Sequence, residues 1–245
     1  MISETIHAPD IGWLRWEVAL PPGFQHLDGP LPFIILMDCQ NSWTNRGSYG
    51  GWHTDSIVRS LVSRKRLAPI VLLGLQSPPW RDRCYAPPPW GKSGLLADFL
   101  CNHLIPPLRQ RFKLTVDRNK IGILGASFGA NFALQAGLFR PDTFGLVGSF
   151  SAAPHAGESL HSMVAKRRPY LPFHRAYIDC GTLWAHDNPH GFGGDSTQFN
   201  RELMRLAGER LPGGRLRGRV WKGHFHNEEF WRKRVGPALR FLFAK

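Results

Sequence analysis

The sequence predicts a doubly wound α/β fold, a mostly parallel sheet flanked by helices, with all 245 residues in a single domain. Three observations predict it. Apolar runs of strand length alternate with longer stretches of helical periodicity. One run, Lys120–Leu124, passes through a tight glycine-flanked turn straight into a helix. No linker, internal repeat or low-complexity segment divides the chain.

The elements follow in order. Trp13–Leu20 alternates as a strand and is stopped by Pro21-Pro22-Gly23. Pro32–Met37 is continuously apolar, as expected of a strand buried on both faces. A helix is expected over Thr54–Arg66 and a second buried strand over Ile70–Leu75. Residues 76–93, rich in Pro, Trp and Arg, read as a long surface loop of the kind that caps sites. Leu95–Phe112 is helical in pattern, although Pro106-Pro107 must kink or restart it. Phe128–Phe139 is the helix after the turn, and Leu146–Phe150 the next strand. Residues 153–173 lack strong periodicity and are expected to form a flap. Arg175–Asp179 is a strand, Thr197–Arg210 a helix, Arg215–Trp221 a strand and Glu228–Phe243 the last helix. In such sheets ligands bind beyond the carboxyl ends of the strands.

Composition narrows the class. The chain has 31 basic and 18 acidic residues, a formal charge of +13, and twelve of the Lys and Arg lie after residue 200 against four Glu. A basic field draws anionic small molecules, nucleic acid or membrane surfaces, and an Arg-rich solvated surface gives the same count. No zinc-finger, RNA-recognition or helix-turn-helix signature accompanies the charge, so no nucleic-acid partner is expected. No apolar run is long enough to span a bilayer and Met1–Asp10 lacks a secretory pattern, so a cytoplasmic protein is expected. Cys39, Cys84, Cys101 and Cys180 have neither metal-like nor redox-like spacing and read as free thiols, and neither metal nor cofactor is expected.

The chemistry starts at Gly125-Ala126-Ser127-Phe128-Gly129, which fits the G-x-S-x-G nucleophile elbow of α/β-hydrolases and makes that the specific fold expected. A serine at this turn stands at a helix N-terminus, where backbone N–H groups favour developing negative charge. The hydroxyl needs a base. Gly223-His224-Phe225-His226-Asn227 lies between the last strand and the last helix, and His226 is the expected base with His224 as the fallback. For the acid that would orient it, Asp187 is the first candidate, ahead of Asp195, which equally suits a helix cap, with Asp179 structural; a Ser–His pair without a close carboxylate is the remaining option. The oxyanion donors are expected to be the N–H of Phe128 and that of Cys39 or Gln40, with Asp38 a structural turn former.

Asp38-Cys39-Gln40-Asn41-Ser42-Trp43 resembles the Asp-Gly-Gln-Asn-x-Phe loop of the putative-esterase family, which groups enterochelin, feruloyl and acetyl-xylan esterases, S-formylglutathione hydrolases and mycolyltransferases. Tyr49-Gly50-Gly51-Trp52, Arg81-x-Arg83-x-Tyr85-Ala86-Pro87, Cys180-Gly181-Thr182 and His226-Asn227-Glu228-x-x-Trp231 match its pattern in order. The resemblance implies Ser127 as nucleophile, His226 as base and hydrolysis of a small-molecule ester through an acyl-enzyme. It also implies an arginine of the capping loop on an anionic ligand, with Arg83 the expected residue beside Arg81, and an anionic or aromatic ester as substrate. Trp43 and Trp184 are expected to line an aromatic pocket, with Trp52, Trp80 and Trp90 at the same end of the sheet. Two residues depart from the family pattern. Trp184 stands where many relatives carry Glu or Asp, and Cys39 replaces the usual glycine, which is expected to narrow the approach to the carbonyl. An acyltransferase on the same scaffold and a non-catalytic binder of an anionic ligand are the alternatives.

Overall fold

The computed structural model describes residues 1–154, 159–167, 169–184, 195–211 and 213–244. Among them is one eight-stranded sheet in the order β1-β2-β4-β3-β5-β6-β7-β8. Its strands are β1 (Ile2–Ala8), β2 (Gly12–Ala19), β3 (Phe33–Met37), β4 (Val71–Leu75), β5 (Ile121–Ala126), β6 (Leu146–Phe150), β7 (Arg175–Gly181) and β8 (Leu216–Trp221). β1 and β2 form an antiparallel hairpin, and β2 also runs antiparallel to β4. All other pairings are parallel. This is the α/β-hydrolase fold expected from the elbow.

Strand β3 shows why the inner strands read as unbroken apolar runs. Phe33, Ile35 and Met37 face one core layer, under α3 to α7, while Ile34 and Leu36 face a second layer with Trp43, Trp52 and the apolar side of the last helix. Strand β1 was outside the expected elements because its alternating residues are largely exposed at the sheet edge. At the opposite edge, β8 carries Arg217 and Arg219 on exposed positions, their guanidinium groups lying over Phe241 and Trp221. Charged residues there discourage pairing with another strand, so part of the positive charge guards an edge.

The helices are α1 (Thr54–Ser63), α2 (Arg81–Tyr85), α3 (Ser93–Phe99), α4 (Ile105–Phe112), α5 (Phe128–Phe139), α6 (Leu160–Ala165), α7 (Ser196–Gly208) and α8 (Glu228–Leu242). The long helix expected over Leu95–Phe112 is split: a π-helical stretch, Leu100–Leu104, joins α3 to α4, whose first turn holds Pro106 and Pro107. The wider turn accommodates prolines that donate no hydrogen bond. Helix α2 lies within the expected loop 76–93, and α6 within 153–173, capped by Ser159. All four cysteines are free and buried. Among the described residues no helix is long and apolar enough to cross a membrane.

Candidate active site

Ser127 joins β5 to α5 with φ 56° and ψ −126°, a region that non-glycine residues rarely occupy. The turn closes only because its flanking residues lack side chains. A Cβ on Gly125 would lie 2.4 Å from the backbone of Gly129, and one on Gly129 would lie 2.9 Å from Asp38 Oδ2. Gly125→Ala should therefore destabilise the protein by about 1–3 kcal/mol and displace the serine, measured as a lower Tm together with lost esterase activity. Phe128 opens α5, so its N–H is among the helix donors without an intrahelical acceptor.

Facing the elbow, the end of β3 turns sharply at Asp38 (φ 55°, ψ 45°). The turn's first hydrogen bond runs from Asn41 N–H to Asp38 O, upstream of which lie the N–H groups of Cys39 and Gln40. A network holds this loop. Arg81 donates to both Asp38 oxygens (Nε–Oδ1 2.9 Å, Nη2–Oδ2 2.7 Å), and Ser77 and Tyr85 donate to Oδ1 at 2.6 and 3.0 Å. Gln40 clasps Ser77, donating to its Oγ and accepting from its backbone N–H. Asp38→Asn should cost about 2–3 kcal/mol, less than the ~3–5 of a wholly buried pair because 33% of the Arg81 side chain meets solvent. Urea unfolding checks the stability loss, and kcat the accompanying loosening of the loop. Cys39 does not narrow the cavity: its side chain packs beneath β4, where a Cβ on Gly74 would come within 2.5 Å of Cys39 Cβ, and burial pushes its thiol well up.

His226 follows β8. Its ring stacks on Trp184 (centroids 3.7 Å apart) and meets Trp231 edge-on at 5.1 Å, while its backbone N–H donates to Trp184 O. Nε2 is buried without a hydrogen-bond partner among the described residues. Burial, reinforced by the charges of Arg234 and Arg81, pushes the imidazole down from 6.5 to about 3. His224 is committed elsewhere, its Nδ1 accepting from Arg234 Nε (3.2 Å) and its ring lying against Trp221 and Phe230.

Ser127 and His226 open onto one cavity of about 340 Å³, whose walls include Gln40, Trp52, Arg81 and Trp231. Several expected residues lie elsewhere. Asp187 falls outside the described residues. Asp195 caps α7, accepting from the N–H groups of Thr197 and Gln198. Asp179 is buried against Arg234 (3.3 Å) and accepts from Trp221 Nε1 (2.9 Å), and burial lifts its carboxyl to about 6. Trp43 is 1% exposed in the core beneath β4, so it cannot line a pocket. Arg83 lines a separate cavity of about 370 Å³ with Trp80 and Lys92, because residues two apart on a helix face different ways; Arg81 is the arginine on the cavity shared by Ser127 and His226. Trp184 stacks on the ring of His226. Glu228, a wall residue of the same cavity as Ser127, stood in the sequence as part of the His226-Asn227-Glu228-x-x-Trp231 match and as an acidic residue at a helix start, with no role of its own assigned.

The sequence profile of the family described as Putative esterase matches residues 14–234. The chain belongs to this family. It is an esterase, a carboxylic-ester hydrolase. The esterase is 24% identical to the uncharacterized protein YbbA of Bacillus subtilis (strain 168) over an alignment 255 positions long, covering 94% of this chain and 93% of that one. In fold it is similar to a ferulic acid esterase (TM-score 0.74, 18% identity, 99% of this chain and 97% of that one). It is also similar to the enterobactin esterase of Shigella flexneri (TM-score 0.74, 17% identity, 98% of this chain), of whose length it spans 58%.

Proposed function

We propose that this esterase cleaves its substrate through an acyl-enzyme on Ser127, with His226 as general base. The observation that carries the reading is the strained serine opening onto the same cavity as the buried, unpartnered Nε2 of His226. In this scheme Nε2 takes the hydroxyl proton as Ser127 Oγ attacks the ester carbonyl. The oxyanion is held by Phe128 N–H and by the N–H of Cys39 or Gln40, on a loop that the Asp38–Arg81 pair keeps from moving. The imidazolium returns its proton to the leaving alcohol; water, deprotonated at the same nitrogen, then attacks the acyl carbon, and Nε2 passes that proton to Ser127 Oγ as the acid leaves. The stacked Trp184 orients the imidazole, which has no carboxylate partner among the described residues.

Trp52 and Trp231 on the cavity wall favour a flat aromatic acyl group. The ferulic acid and enterobactin esterases that share the fold make ferulic acid esters and enterobactin-like esters the first candidates. A fluorophosphonate probe tests the scheme: labelling of the folded protein on the peptide containing Ser127, located by mass spectrometry, is the expected result. Unlabelled folded protein, or a label on another residue, would overturn it.

A further inference from the structure

Acyl transfer through Ser127 and His226 leaves one charged group of the cavity without a task. Glu228, the first residue of α8, is 8% exposed and lines the wall that Ser127, Asp38 and Arg81 share. Its carboxyl accepts from its own backbone N–H, and no other described residue donates to it. A carboxylate has two oxygens and about four acceptor positions, so among the described residues most of its capacity is open to a group that enters the cavity.

The other charges in the cavity cancel. Both oxygens of Asp38 accept from the guanidinium of Arg81, so the charges of this pair offset each other. The uncompensated charge of the cavity is therefore negative, in a chain whose formal charge is +13. Arg217 and Arg219, part of that positive excess, lie on the sheet edge at β8. An anion drawn by the outer field would meet a carboxylate inside.

We propose that Glu228 is a specificity determinant: it seats a hydrogen-bond-donating, non-anionic group of the substrate, such as a hydroxyl, an amide N–H or an ammonium, and disfavours esters with an anion near the reacting carbonyl. This rests on the reading of the cavity as the substrate site. A second negative charge about 5 Å from the carboxylate, at an effective dielectric constant of about 20, is disfavoured on the order of 100-fold.

The test uses three benzoate esters alike in the acyl part: benzoylcholine, 2-hydroxyethyl benzoate and the carboxymethyl ester. Binding is read by quenching of tryptophan fluorescence in the Ser127→Ala protein, which removes turnover from the measurement. The choline and hydroxyethyl esters are expected to bind at least about tenfold tighter than the carboxymethyl ester. Adding Glu228→Gln, which keeps the shape and removes the charge, should bring the choline-to-carboxymethyl ratio within about threefold. Equal binding of the three esters, binding of none, or an unchanged ratio in the double variant would overturn the proposal. The first two outcomes need no substitution at Glu228, so poor folding of that variant does not protect it. Wild-type turnover of the same esters separates the two readings. Selective binding without turnover leaves Glu228 in its role and removes the hydrolytic scheme, whereas turnover favouring the carboxymethyl ester does the reverse.

Discussion

Ser127→Ala is expected to lower kcat for 4-nitrophenyl butyrate by about 10⁴- to 10⁶-fold while the protein stays folded. The size follows from what the change removes. Alanine deletes the attacking oxygen and keeps the backbone turn, so the N–H groups of Phe128 and of the Asp38 loop stay where they are. The residue of catalysis should then be what oxyanion stabilisation and binding supply alone, roughly 10³-fold over water. The variant retains the positive φ at position 127, so its Tm should change little compared with the loss in rate. Loss of less than about a hundredfold would place the nucleophile elsewhere.

The pH dependence of kcat/KM carries the second large effect. An ordinary histidine base gives an acid limb near 6.5, where half the imidazole is protonated. In His226 burial and two arginine charges hold the ring neutral down to about 3. The expected profile is therefore flat from pH 8 to about pH 5, with His226→Ala costing about 10³-fold or more throughout that range. A limb centred at 6.5 or above would mean that a carboxylate supports the ring. Asp187→Asn would then lower both the limb and the rate if Asp187 is that group. The sign for stability is the opposite of a salt-bridged histidine. The unfolded chain takes up the proton near 6.5 and the folded protein only near 3, so this contribution is whole above pH 6.5 and is lost as the pH falls towards 3. A neutral base of such low basicity also pulls weakly on the serine proton, which favours esters with good leaving groups.

Residues that must do one thing wherever they sit were the legible ones. Strands β3 to β7 are apolar on both faces because helices cover both, and the glycine-flanked serine can fold only as a tight turn between strand and helix. His226 could be placed by its position after the last strand. What failed to show was phase and company. Arg81 and Arg83 are indistinguishable in a list of letters, and only the start of the short helix α2 decides which of them reaches Asp38. Trp43 and Trp52 both fall in loop sequence, yet one is swallowed by the core and the other borders the cavity. Strand β1 is a half-exposed edge with too little apolar content to announce itself. The acid is a different case: the helix cap at Asp195 and the structural place of Asp179 were both open to reading, while Asp187, the first candidate, lies outside the described residues.

The fastening of the histidine loop has a consequence for what sets the place of the imidazole. Arg234, fully buried in α8, donates to Asp179 and Ser151 at the ends of β7 and β6, and also to Nδ1 of His224 and the carbonyl of Phe225. The loop that carries His226 is thus moored to the sheet, through the two residues before it, by a rivet that arrives from the helix after it. Every group in that mooring lies at the ends of β6 and β7, in the loop after β8 or on α8, so the position of the imidazole is set by the sheet and the last helix together.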